Sequence, residues 1–135
     1  MREFKFRAWT HNPENKKLGE MLYNVYPINN LHHAIRCEEA DFETMKGTII
    51  LFGGVPKFMQ YTESKDKNGK DIYEGDIIKF QIGYYKAKRN QNVKDVVIFK
   101  DSCFKTKKFQ MPISALINAE IIGNIYENPE LIKGE

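Results

Sequence analysis

Residues 63–80 read ESKDKNGKDIYEGDIIKF, and this stretch decides the fold class. Asn68-Gly69, flanked by Lys67 and Lys70, is the strongest short signal for a tight turn. A type I′ turn needs positive φ at both central positions, and Asn and Gly tolerate it best. Glu74-Gly75-Asp76 then precedes Ile77, Ile78 and Phe80, which reads as a second glycine-dependent turn launching a strand. Small β-barrels are built from closely spaced turns and strands of this kind.

Upstream the pattern is also that of strands. Lys57 to Tyr61 leads into the turn, and GTIILFGG (47–54) is a β-branched run closed by glycines. At the N-terminus Phe4, Phe6 and Ala8 alternate with Lys5, Arg7 and Trp9, the period of two of a strand over residues 2–9. Asn12, Pro13, Asn15 and Gly19 mark a loop, and Met21 to Tyr26 returns to pair with the first strand as a hairpin. Between them and the glycine-closed run, Leu31, Ala34 and Ile35 fit helical spacing, so a short helix with a loop is expected within 27–47. Downstream, 93–100 and 102–110 read as a hairpin bent at Asp101 and Ser102. Pro112 opens a helix of about two turns with Ile113, Leu116 and Ile117 on one face. Glu120 to Tyr126 is a last strand before Asn128-Pro129.

A chain of 135 residues and 15.8 kDa, 41% hydrophobic and 29% charged, is one compact unit or two very small ones, with a core that needs no disulfide or metal. The longest apolar run, Ile49 to Phe52, is four residues. A membrane-spanning helix needs ~20. The opening MREFKFRAW lacks the continuous apolar block of a secretory signal, so the chain is expected to stay in the cytoplasm. Cys37 and Cys103 lie far apart, neither in a CxxC pair, and read as two reduced thiols.

Three blocks resemble the YopX family of bacteriophage and prophage proteins: EFKFRAW (3–9), FMQYTESKDKNGKDIYEGDIIKF (58–80) and EIIGNIYENPEL (120–131). The central block is specific, because a generic hairpin needs Asn-Gly but neither Gln60-Tyr61-Thr62 before it nor Ile72-Tyr73-Glu74-Gly75-Asp76 after it. Where the family usually carries glycine after that Gln-Tyr-Thr, this chain carries Glu63, a departure expected to alter the loop. Residues 27–56 and 83–95 match none of the family's patterns. The resemblance implies a mostly β, α+β fold in two parts: an N-terminal β-rich subdomain (1–56) and a C-terminal small β-barrel of the Src-homology type with one short helix (57–135). It also implies a phage or prophage gene in a bacterial cell and self-association, and it brings no catalytic residue with it.

The chemistry-bearing residues point the same way. His32 and His33 are adjacent and cannot easily share a metal. If 31–38 were helical, His33 and Cys37 would supply two zinc ligands of the four a structural site wants. Ser64, Ser102 and Ser114 lie in no nucleophile elbow, and the glycines of FGGV lack the rest of a phosphate loop. Glu74 and Asp76, two apart, could form an acid–base pair, but a turn explains them more simply, Asp76 accepting backbone N–H bonds around Gly75. No catalytic residue, metal or cofactor is expected.

The net charge of +3 is unevenly spread. Residues 79–108 carry nine Lys and Arg against Asp95 and Asp101, a surplus of +7, whereas 109–135 carry Lys133 against four Glu, a balance of −3. Tyr84 and Tyr85 precede Lys86, Lys88 and Arg89, and Phe99 and Phe104 interleave with lysines. That composition suits phosphate contact with base stacking, and equally a strand with a solvated lysine face. The loop 83–92 is the preferred place for a partner contact, through Tyr84, Tyr85, Lys86, Lys88 and Arg89. The reading is therefore a small non-enzymatic protein that binds itself or a host or phage partner. The alternative is a nucleic-acid-binding accessory protein that uses the basic stretch 79–108.

Overall fold

The computed structural model describes residues 4–11, 19–28, 30–36, 48–51, 56–82 and 91–133. Strands make up most of them, and the fold is mostly β. Helix among the described residues is confined to two 3-10 turns of three residues each. No helix among them is long and apolar enough to cross a membrane. The chain divides into two compact units, Met1–Tyr61 and Thr62–Glu135.

In the first unit β1 (Phe6–His11) is the central strand. It pairs antiparallel with β2 (Gly19–Tyr23) on one side, and Trp9 stands opposite Met21. On the other side it pairs with the start of β6 (Lys57–Lys65), where Trp9 stands opposite Lys57. Ala8 and Val25 form the buried centre, with Leu22 and Phe58 packed against them. Arg7, on the opposite face of β1 from Ala8, is buried as well. Gly19 lies under the Trp9 indole, where a Cβ would collide with the ring. Tyr26 stands edge-on to Phe6, centroids 6.0 Å apart.

A second sheet of this unit has the order β3 (Val25–Ile28), β4 (Asn30–Arg36), β5 (Thr48–Leu51). It replaces the helix expected within 27–47. Leu31, Ala34 and Ile35 do fit a helical face, but an isolated helix of so few residues is marginal. As a middle strand β4 is hydrogen-bonded on both sides, Ile35 opposite Tyr26 and also opposite Ile49. With His33 in β4, the one-turn spacing to Cys37 does not exist, and Cys37 lies outside the described residues.

The second unit begins in the last four residues of β6, which pair with β7 (Asp71–Tyr73). Its main sheet has the order β10 (Cys103–Thr106), β9 (Gln91–Lys100), β8 (Asp76–Ile82), β11 (Ile117–Asn124), all antiparallel. Ile72, Ile78, Phe80, Val97 and Ile113 form the core, and Phe80 meets Phe109 edge-on at 5.9 Å. The expected strand 102–110 ends at Thr106, because residues 107–109 turn away. The expected two-turn helix is a single 3-10 turn, Ile113–Ala115. Its C-cap, Leu116, is already extended, and half-exposed Ile117 opens β11 and does not continue an apolar helical face.

The turns depart from expectation in an instructive way. Asn68 does not have positive φ, whereas Gly69 does, at +83°. The Gly69 N–H donates to the Asp66 carbonyl (3.0 Å) and the Asp66 N–H to the Lys70 carbonyl (2.8 Å). This is a turn over Lys67-Asn68 followed by a left-handed glycine, a three-residue loop in place of the two-residue type I′ turn. The two-residue primed turn is instead at Asp101-Ser102, with φ of +54° and +64° between the paired residues Lys100 and Cys103. Glu63, where the resemblance calls for glycine, has φ of +68°. Around it the Thr62 hydroxyl donates to the Ile72 carbonyl (2.8 Å) and accepts the Ser64 N–H (3.2 Å).

Candidate functional site

Tyr84, Tyr85, Lys86, Lys88 and Arg89 lie outside the described residues. Two sets of charged groups stand out among the described residues, carboxylates that accept backbone N–H groups and lysines on a sheet face.

The carboxylates are acceptors for turns. Asp66 is buried; its Oδ1 accepts N–H bonds from Asn68 (2.8 Å) and Lys70 (2.9 Å), and its Oδ2 accepts the Ile121 N–H of β11 (3.1 Å). Burial works against its charge. The three amides and the nearby Lys70 ammonium outweigh that effect and hold the carboxyl below the ordinary 3.8. Asp76 accepts the Tyr73 N–H (2.8 Å) across the Glu74-Gly75 turn, so it closes a bend as the turn reading requires. Asp95 accepts the Val96 N–H on one oxygen and those of Lys108 (2.8 Å) and Phe109 (2.9 Å) on the other, which is why the chain turns after Thr106. Asn124 does the same with its side-chain carbonyl, taking the N–H groups of Tyr126 and Glu127, while Asn128 Oδ1 accepts the Asn124 N–H. Gly123 makes room for that amide, since a Cβ there would meet the Asn128 side chain.

The lysines lie on the face of the β8–β9–β11 sheet. Side chains alternate across a strand, and Lys79, between buried Ile78 and Phe80, points away from the core. Register places Lys94 of β9 directly opposite it, and Glu120 of β11 on its other side. Glu120 receives Lys79 at 3.6 Å and Lys67, from the β6–β7 turn, at 3.3 Å. Lys79, Asn92, Lys94, Lys108, Phe109 and Ile122 line a groove of about 360 Å3. The Lys108 ammonium stands 5.7 Å from the centroid of the Phe109 ring. Lys105 plays no part here: it is nearly buried and paired with Asp101 at 3.0 Å. Phe99 and Phe104 pack across the β9–β10 hairpin with their rings tilted at 59° and centroids 4.9 Å apart, and Phe99 remains half-exposed. Sequence reasoning counted Lys79, Lys94 and Lys108 as basic but did not bring them together. It named Lys67 only as a turn flank and Glu120 only as the start of a strand, included Asn92 in the loop 83–92, and gave Phe109 no role. Among the described residues no group of three or more His, Cys, Asp and Glu is placed to hold a metal ion.

The family model described as "YopX protein" matches residues 5–133. The chain belongs to the YopX family. Its fold is similar to the crystal structure of protein EF1440 from Enterococcus faecalis, at 27% identity and a TM-score of 0.64, covering 97% of this chain and 99% of that one. No curated protein matches the chain. The blocks that carry the YopX resemblance hold Asp66, Asp76, Gly123, Asn124 and Asn128, the residues that close its turns.

Proposed function

We propose that this YopX protein is a phage- or prophage-encoded accessory protein of the bacterial cytoplasm that acts without catalysis, as a binding or self-association module. The observation that carries the reading is the use made of the buried carboxylates. Asp66, Asp76 and Asp95, the acids best placed by burial to have tuned chemistry, are engaged by backbone amides that shape turns. What the unit offers outward is surface: a groove edged with lysines and the half-exposed ring of Phe99. Such features suit recognition by charge and apolar contact.

Sedimentation velocity across a wide concentration range tests self-association. The expected result is a species whose mass is a multiple of 15.8 kDa. A monomer at the highest concentration overturns self-association and confines the function to a different partner. The second reading, binding of nucleic acid, is favoured by a specific observation, the register that sets Lys79 opposite Lys94.

A further inference from the structure

Asn68-Gly69 lies in the loop between β6 and β7, and both residues are exposed. An asparagine followed by glycine is chemically labile in water. The glycine nitrogen can attack the side-chain amide and close a cyclic imide, because glycine has no Cβ to hinder the ring and its backbone turns freely. At Gly69 nothing lies within 4 Å of where a Cβ would stand, so the surroundings leave room for the ring as well.

What restrains the reaction is the turn. The attacking nitrogen is that of the Gly69 N–H, which donates to the Asp66 carbonyl (3.0 Å). The neighbouring N–H groups of Asn68 and Lys70 are both held by Asp66 Oδ1, at 2.8 and 2.9 Å. Asp66 is itself fixed by its other oxygen, which accepts the Ile121 N–H of β11. One residue thus clamps the whole loop, and the Gly69 nitrogen is released when the loop opens, an event that exposed loops undergo more often than the whole protein unfolds.

We infer that Asn68 is a modification site, converted through a cyclic imide to aspartate and isoaspartate at a rate set by the Asp66 clamp. In the first step the Gly69 nitrogen bonds to Asn68 Cγ, the Cγ–Nδ2 bond breaks, and ammonia leaves with the proton that the Gly69 nitrogen gave up. Water then attacks one of the two imide carbonyls; the C–N bond there breaks, the nitrogen regains a proton and a carboxyl group forms. Opening at the main-chain carbonyl gives isoaspartate, whose backbone is one methylene longer, and opening at the side-chain carbonyl gives aspartate. Nothing is oxidised or reduced. Either product adds a carboxylate two residues from Asp66, and like charge disfavours the ionised Asp66 that holds the loop. The longer isoaspartate backbone also displaces the Gly69 and Lys70 amides from their acceptors. The modification therefore loosens the clamp that delayed it.

Mass spectrometry of the full chain, aged in weakly alkaline buffer, tests this. Cleavage after glutamate releases residues 64–74, in which Asn68 is the only asparagine, so the exchange of amide for carboxyl is read at one position. The chain unfolded in denaturant converts fastest. Folded wild type converts more slowly by at least about tenfold, and Asp66→Ala, shown to be folded by circular dichroism, converts at least about tenfold faster than folded wild type, as the loss of three amide contacts requires. Should that variant not fold, Asp66→Ser, whose hydroxyl still accepts an N–H, shows a smaller rise. Equal rates in folded wild type and the unfolded chain, or in folded wild type and a folded Asp66 variant, overturn the clamp. Absence of conversion at Asn68 in the unfolded chain overturns the site.

Discussion

Two charged regions of the C-terminal unit use their charges in opposite directions. Around Asp66 a carboxylate is turned inward and takes three backbone amides, two from its own turn and one from β11, fifty-five residues away in the chain. On the face of β8 and β9 ammonium groups are turned outward and set against one another. The first arrangement stabilises the free protein, since a buried N–H left without an acceptor costs more than a typical hydrogen bond contributes. The second contributes less to the free protein, because the pairs that Lys67 and Lys79 make with Glu120 are part-exposed. The buried carboxylates that close turns are therefore architecture in this protein, and the lysine charge on the face of β8 and β9 is surface.

The largest expected effect breaks the first region. Asp66→Ala strands three amides and unties the β6–β7 turn from β11, so unfolding by denaturant should show a loss of about 3 kcal/mol or more. A loss below about 1 kcal/mol would mean that water replaces the carboxylate without penalty. Acid sharpens the same point. The folded-state pKa of Asp66 is lowered, so its contribution is fully present above the unfolded value of 3.8 and is lost as pH falls through the lower folded value. Asp66→Asn should accordingly be less stable at neutral pH and lose less stability than wild type on acidification below 3.8. A smaller effect concerns Glu63 at its φ of +68°. Left-handed backbone costs a side-chain-bearing residue about 1–2 kcal/mol, part of which glycine gives back through its freer unfolded state. Glu63→Gly should thus raise stability by about 1 kcal/mol or less, read from the denaturation midpoint. The smallest effect belongs to the second region. Lys94→Gln removes one of two opposed charges and should change stability by no more than about 0.5 kcal/mol.

Much of this fold is legible in the sequence because strand alternation and turn chemistry are local. The hairpins at 57–80 and 91–106 follow from them, as does the bend at Asp101-Ser102. What the local signals miss is decided by distant partners. Asn68-Gly69 carries the sequence signal for a type I′ turn, yet Asp66 beside it offers its carboxylate to two amides of the loop and draws the chain into a longer turn. Residues 30–36 show helical spacing, yet pairing on both sides makes them a strand. The 107–109 turn depends on Asp95, thirteen and fourteen residues back from the amides it binds. The lysine groove was hidden for a related reason. Its lysines are visible as basic residues, but the register that sets Lys79 against Lys94 belongs to the pairing of two strands and is not written in either strand alone.

Thermal unfolding of one variant from each region, side by side with wild type, tests the division between inward and outward charge most directly, because a buried acceptor and a part-exposed ion pair differ in what they contribute to the folded state. Asp66→Asn should melt lower than wild type, whereas K79Q/K94Q/K108Q should melt near it. A groove variant that melts as low as the Asp66 variant, or an Asp66 variant that melts with wild type, would contradict the account.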